Sequence, residues 1–364
     1  MKADQNRDTL LSLVRLGIGH DADVPESINW QEVKDMATAQ GMGAIAFDGV
    51  RALEGRGLLE GERKIGSAFY KHWAQTVKEM YEGLYEDYRT RIGQLAYFYN
   101  TSGFKLMVLK GYGLSLCYPV PNHRPVGDID IWAFGRYKEA DAAITRELGL
   151  AIDDSHHHHT VFYFMDYMVE NHYDWVNVHA HRSSIGLEKI FKELAMDDSN
   201  SVIIDDEVVY LPVPNLHALF IIRHNLSHFA STSMNLRQLL DWGFFAKVHT
   251  AEIDWKWLLE TLDRFHMTEY FMCLNSILVD TLGFSADIFP PIVLQDKSLP
   301  ERILNDIISP EFKGKTPLKM LPRIWFKFRR WRANRWKHRI CYAEGMFSDF
   351  LTSSWAHLKK PASI

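Results

Sequence analysis

Between two short apolar runs, FKLMVL at 104–109 and DIDIWAF at 128–134, the chain carries Pro119, Pro121 and Pro125. A proline inside a helix removes a backbone hydrogen bond and clashes with the preceding turn. The interval therefore reads as a strand, a turn at Lys110-Gly111, a short helix from Gly111 to about Tyr118, and a loop that carries Asn122, His123 and Arg124 to the mouth of a second strand. On that second strand Asp128 and Asp130 are two residues apart, which places both side chains on one face. Two carboxylates so placed repel each other, and a hard divalent cation such as Mg²⁺ relieves the repulsion.

The flanking sequence reads as helical on both sides. Residues 1–95 carry apolar residues at helical spacing, with Ser27 as an expected N-cap, and 62–99 reads as one extended helix or two with a break. The aromatics of that stretch are expected in the core rather than on a base-stacking surface. Beyond the Asp pair come a helix ended by Gly149, two β-like runs (TVFYFMDYMV and DWVNVHAHR) and a hairpin-like VIIDDEVVYL. From Pro212 onward helices return. The expected fold is α+β: a small mixed-sheet α/β core over 100–211, flanked by an N-terminal helical region (1–99) and a C-terminal helical region (212–364).

An apolar fraction of 47% against 24% charged residues sets disorder aside. No apolar run approaches the ~20 residues that cross a bilayer, and no signal-peptide pattern opens the chain, so a cytoplasmic location is expected. Cys117, Cys273 and Cys341 are too scattered for a disulfide framework. Net charge is −5, yet residues 313–342 hold eleven Lys and Arg and no acid, interleaved with Trp325, Phe326, Phe328, Trp331 and Trp336. That pattern suits an amphipathic helix docking on an acidic body; binding of RNA or of an anionic membrane surface are the other readings.

Several histidines invite a metal reading. His156–His159 lie on extended backbone and split between two faces, which favours a loop or strand entry over one defined site. His179 and His181 share a face without a third ligand at predictable spacing, and His224 and His228 sit four apart without the glutamate of a zinc-protease helix. Arg237 and Asp241 are spaced to pair on a helix or to border a ligand.

Leu109-Lys110-Gly111, Tyr118-Pro119-Val120-Pro121, Arg124 and Gly127-Asp128-Ile129-Asp130, in that order and spacing, resemble the uncharacterised nucleotidyltransferase family of the polymerase-β-like superfamily. The resemblance extends to Arg237-Gln238-Leu239-Leu240-Asp241 and to the run at 330–337. It implies a nucleotidyltransferase-like core that moves a nucleoside monophosphate from an NTP, such as ATP, to an acceptor hydroxyl that the sequence does not identify. Asp128 and Asp130 would be catalytic and hold Mg²⁺ or Mn²⁺, while Lys110, Gly111, Arg124 and Gly127 would bind the nucleotide. The resemblance further implies a third acid two residues before a histidine, in a valine-acid-hydrophobic-histidine pattern. The matching residues are Val176-Asn177-Val178-His179, which puts Asn177 at the third metal position. An amide can ligate a cation but cannot serve as a base. Nucleotide binding without turnover is therefore the alternative, with a nucleic-acid or anionic-surface binder acting through 313–342 as a third.

Overall fold

The computed structural model describes residues 2–343, apart from 180, 182, 232, 313, 315, 316, 318 and 319. The basic segment and the C-terminal helical region thus fall partly outside the described residues.

Six strands form one mixed sheet: β1 (Met107–Val108), β2 (Ile129–Trp132), β3 (His159–Phe164), β4 (Tyr167–His172), β5 (Ser201–Ile204) and β6 (Glu207–Tyr210). Their order is β3-β4-β2-β1-β6-β5. The two hairpins are closed by Met165-Asp166 and Asp205-Asp206, all four at positive φ, as two-residue hairpin turns that match strand twist require. β2 runs antiparallel to β1 and parallel to β4. Side chains alternate across the sheet, so Met107 joins one core and Val108 the other.

Helices α1 (Lys2–Gly17), α2 (Trp30–Ala39), α3 (Gly43–Gly55), α4 (Ser67–Val77) and α5 (Leu84–Thr101) precede the sheet. A π-helical turn, Lys78–Gly83, joins α4 to α5, so the long stretch is one rod with a local bulge. The cap of α2 is Asn29, which accepts from Glu32 N, rather than Ser27. α5 covers one face of the sheet: Tyr88, Ile92 and Tyr99 pack with Ile129, Ile131 and Val209. The expected helix after Gly111 is a single turn, α6 (Tyr112–Ser115), and α7 (Tyr137–Ala143) follows β2.

One expectation fails outright. Within DWVNVHAHR the described residues 174–179 are not a strand but a bent loop ahead of α8 (Ser183–Leu194). Glu188 of α8 holds that loop, its carboxylate accepting from Trp175 N at 2.9 Å and Val176 N at 3.0 Å.

The other face carries α9 (Pro214–Ser231), α10 (Leu236–His249), α11 (Trp255–Arg264), α12 (Thr268–Ser276) and α13 (Leu299–Ile308), and these share one core with α1–α4. Gln40, buried at the end of α2, ties three distant segments: its Oε1 accepts from Leu236 N at 3.0 Å and its Nε2 donates to Ile307 O at 3.0 Å. The basic segment forms α14 (Met320–Ala333) and α15 (Arg335–Cys341). α15 docks as charge complementarity suggests, with Lys337 buried on Asp306 at 2.5 Å and Trp336 edge-on to Phe229. α14 leaves Trp325 62% and Phe328 38% exposed, so its aromatics are not all consumed by docking. Among the described residues no helix is long and apolar enough to cross a membrane.

Candidate functional site

The first strand ends against the second, Leu109 N donating to Asp130 O at 3.0 Å, and the chain then turns sharply at Gly111. Its φ of +56° and ψ of −104° are closed to residues with a Cβ, and a Cβ there would lie 2.2 Å from Tyr88 Oη. Tyr88 cannot simply step aside, because its hydroxyl donates to Asp128 O at 3.0 Å and fixes the entry to β2. Gly111→Ala is expected to destabilise the fold by roughly 2–5 kcal/mol, from backbone strain plus overpacking. Urea unfolding measures this; adding Tyr88→Phe should recover part of the loss, and a neutral Gly111→Ala would disprove the clash.

Asp128 and Asp130 both line one pocket, open to solvent, with Lys110, Gly111, Arg124 and Gly127 on the sheet side. Across it stand His224 and Asn225 of α9 and Arg237, Gln238 and Asp241 of α10. β2 and β4 are parallel and in register, with Asp130 beside Glu170 and Trp132 beside His172. Asp130, Glu170 and His172 each bring one ligand-type atom within 4.8 Å of the others.

The charges are tightly matched. Asp130 Oδ1 is 2.9 Å from Lys110 Nζ and 3.1 Å from His172 Nε2, and only 3% of its side chain is exposed. Burial pushes the Asp130 carboxyl up, but the charge of Lys110 and the hydrogen bond from His172 outweigh it and hold it well below the usual carboxylate range. Burial likewise disfavours charge on His172, yet its bonds to Asp130 and Glu170 prevail and raise it to about 9. Glu170 is lowered: burial opposes ionisation and the His172 hydrogen bond overcomes it. Asp128 differs, since burial and the charge of Asp130 both raise it against the pull of Lys110. Three carboxylates thus face two cations, leaving a negative residue of charge in the cluster.

Arg124 is already paired within the pocket wall. Its Nε and Nη2 grip Asp241 at 2.7 and 3.0 Å, Tyr118 Oη donates to the same carboxylate at 2.7 Å, and Arg124 is 4% exposed. The pair braces the proline loop against α10. Arg237 also lines the pocket: its charge helps hold Asp241 ionised, while its Nε is buried and has no hydrogen-bond partner among the described residues.

Residues 26–281 match the model of a family described as uncharacterised nucleotidyltransferase. The chain belongs to that family. No curated protein and no solved structure matches it. The stretch that matches the nucleotidyltransferase family includes the 109–131 segment and Arg237–Asp241 on α10, and stops short of the run at 330–337.

Within this nucleotidyltransferase framework the placement of Asn177 is corrected. It lies in the loop after β4, where its Oδ1 accepts from His179 N at 2.9 Å, and not on a strand facing the Asp pair. The position beside Asp130 belongs to Glu170, in Val169-Glu170-Asn171-His172, which has the same acid-then-histidine spacing. The pattern is obscured at its hydrophobic position: Asn171 is fully buried, and its amide donates to Asp141 Oδ1 of α7 at 2.8 Å. The histidine run is a strand entry, as expected, with residues 156–158 bending into β3 at His159. His157 and His159 are buried rather than solvated, and burial with the charge of neighbouring His172 lowers His159 to about 4. His123, expected as a loop residue, is buried and bonded to Asp48 at 2.6 Å.

Proposed function

We propose that the chain is a divalent-cation-dependent enzyme that transfers a nucleoside monophosphate from an NTP to an acceptor hydroxyl. The observation that carries this reading is the placement of Asp128 and Asp130 in one pocket with Lys110 and Arg237, with Glu170 and His172 of the neighbouring strand beside Asp130. The donor set fits a hard cation: three carboxylates, one held firmly ionised, with more negative charge than the local cations offset. Asp128, Asp130 and Glu170 would hold Mg²⁺ or Mn²⁺, which when bound supplies charge neutralisation of the triphosphate and of the departing pyrophosphate.

The protein's own groups supply the rest. Arg237 offers the triphosphate a guanidinium with an unpartnered Nε from the α10 side, and Lys110 lines the same pocket from the sheet. The Gly111 turn brings backbone close to that space without a side chain. In the transfer the acceptor oxygen forms a bond to the α-phosphorus, the bond from that phosphorus to the bridging oxygen breaks, and pyrophosphate leaves with the electron pair. The acceptor's proton passes to Glu170, whose lowered carboxyl is available as a base. Arg124 acts as a positioning residue, keeping α10 and Arg237 against the loop before β2.

Binding without turnover has little support once Glu170, and not Asn177, stands beside the Asp pair. A nucleic acid as the acceptor has one observation in its favour: Trp325, Phe328 and Trp331 form a stacked series on α14, the first two exposed, amid exposed Arg329 and Arg332.

The test is incubation of the full chain with each α-labelled NTP, Mg²⁺ or Mn²⁺, and RNA, protein or small-molecule fractions of a cell extract. Label should move to one class of acceptor, and Glu170→Gln should slow it by about 10²–10⁴-fold. No transfer from any NTP, or equal transfer by Glu170→Gln, overturns the proposal.

A further inference from the structure

β3 and β4 pair antiparallel with His159 directly opposite His172 and Val161 opposite Glu170. Directly opposed residues in such a ladder hold their Cβ atoms about 4.5–5.5 Å apart, so His159 and His172 face each other on rigid backbone. His158 is fixed beside them, because its carbonyl accepts from both Tyr173 N at 3.0 Å and Asp174 N at 3.1 Å beyond the end of β4. The rings close up accordingly, with centroids 4.4 Å apart for His158 and His159, 5.2 Å for His159 and His172, and 5.6 Å for His158 and His172. One ligand nitrogen from each of the three lies within 4.8 Å of the other two.

This cluster has an unmet need. His159 is 6% exposed and neither of its ring nitrogens has a hydrogen-bond partner among the described residues; Glu170 Oε2, its nearest acid, stands at 3.7 Å. Nδ1 of His158 is buried and unpartnered as well. A neutral imidazole carries one donor and one acceptor, and leaving a buried polar atom unsatisfied costs about 1–3 kcal/mol. Hydrophobic packing does not account for two adjacent imidazoles kept in that state.

We propose that His158, His159 and His172 form a second cation site, for a borderline transition-metal ion of the Zn²⁺ class, distinct from the carboxylate site for Mg²⁺. Imidazole nitrogen suits Zn²⁺, Co²⁺ and Ni²⁺, whereas Mg²⁺ takes oxygen. Three histidines with an open fourth position are a recognised zinc arrangement; Zn–N bonds of about 2.0–2.1 Å put ligand nitrogens roughly 3.4 Å apart, so side-chain rotations of an ångström or so complete it. Glu170, 3.7 Å from His159 and 3.5 Å from His172, supplies negative charge at the edge of the site. Binding of the ion releases the second ring proton of His172, and the ring retains an orienting contact whichever nitrogen meets the ion, because Nε2 faces Asp130 at 3.1 Å and Nδ1 faces the Asp174 carbonyl at 3.4 Å. The two cation sites therefore meet at His172 and Glu170. The histidine site does not require nucleotidyl transfer, since the β3–β4 ladder and the His158 carbonyl contacts just beyond it assemble it.

The test is a titration of the metal-stripped full chain with Co²⁺ in the presence of excess Mg²⁺, read by visible d–d absorption and calorimetry. One Co²⁺ per chain should bind with a nitrogen-ligand spectrum that Mg²⁺ does not displace. His158→Ala and His159→Gln should each weaken it by about 100-fold or more, with thermal melting in EDTA unchanged to show that the fold is intact. Asp128→Ala and the double variant His156→Ala/His157→Ala should bind as the wild type does. Absence of Co²⁺ binding, unchanged affinity in His158→Ala and His159→Gln, stoichiometric displacement by Mg²⁺, or loss in the His156/His157 variant instead would each overturn the proposal.

Discussion

Asp128→Asn is expected to abolish nucleotidyl transfer and at the same time to make the metal-free protein more stable. The loss should be at least about 10³-fold, since several kcal/mol of charge stabilisation depend on that ligand and each 1.36 kcal/mol is a factor of ten. The gain in stability comes from the opposite side of the same charge. Asp128 is raised from 3.8 by burial and by Asp130, so in the absence of a cation its ionised form is resisted by the fold. A carboxyl with a raised folded pKa keeps its proton longer in the native state than in the unfolded chain; stability therefore falls as pH climbs from 3.8 through the raised value. In EDTA the asparagine variant should show a higher urea midpoint than wild type at neutral pH, and the gap should close below pH 3.8, where both chains carry a neutral side chain. Retained transfer, or a variant less stable at neutral pH, would contradict the assignment of Asp128 to a site under electrostatic strain.

The second large effect concerns the brace between the proline loop and α10. Arg124→Leu leaves the Asp241 carboxylate buried with Tyr118 as its remaining hydrogen-bond donor and is expected to cost about 3–5 kcal/mol of stability, the usual penalty for orphaning one member of a buried ion pair. Asp241→Leu should cost a similar amount by stranding the guanidinium. The double variant Arg124→Leu/Asp241→Leu removes both charges together and should recover much of the stability, because the desolvation penalty disappears with the pair. It should nevertheless transfer poorly, as Arg237 one turn away on α10 loses its anchored helix. Urea unfolding of the four proteins, with transfer rates alongside, tests this. Additive losses in the double variant would mean that Arg124 and Asp241 act separately.

Much of this is legible from residue order. The prolines at 119, 121 and 125 force the loop, strand alternation puts Asp128 and Asp130 on one face, and the structure has both lining the same pocket. Hairpins are readable where β-branched runs flank two-residue turns, as at Asp205-Asp206. What residue order hides is whatever depends on a partner far along the chain. That Arg124 is paired with Asp241, 117 residues later, has no local sign in the sequence around it. Glu170 escapes a pattern search because a buried Asn171, satisfied by Asp141 from α7, breaks the expected hydrophobic position. DWVNVHAHR has a strand's composition, yet Glu188 from α8 caps its backbone and bends it into a loop. In each case a tertiary polar contact overrides a local pattern.

The Gln40 tie has a consequence for synthesis. Its amide reaches Ile307, a separation of 267 residues, and at translation rates of about 5–20 residues per second that partner emerges roughly 15–50 s after Gln40 itself. The helices α9–α13 with which α1–α4 share a core begin only at Pro214 and are complete only at Ile308. The nascent chain therefore carries its N-terminal apolar surface exposed through most of its elongation, a long window for chaperone engagement, and fragments that terminate before α10 lack the wall of the pocket that holds Arg237.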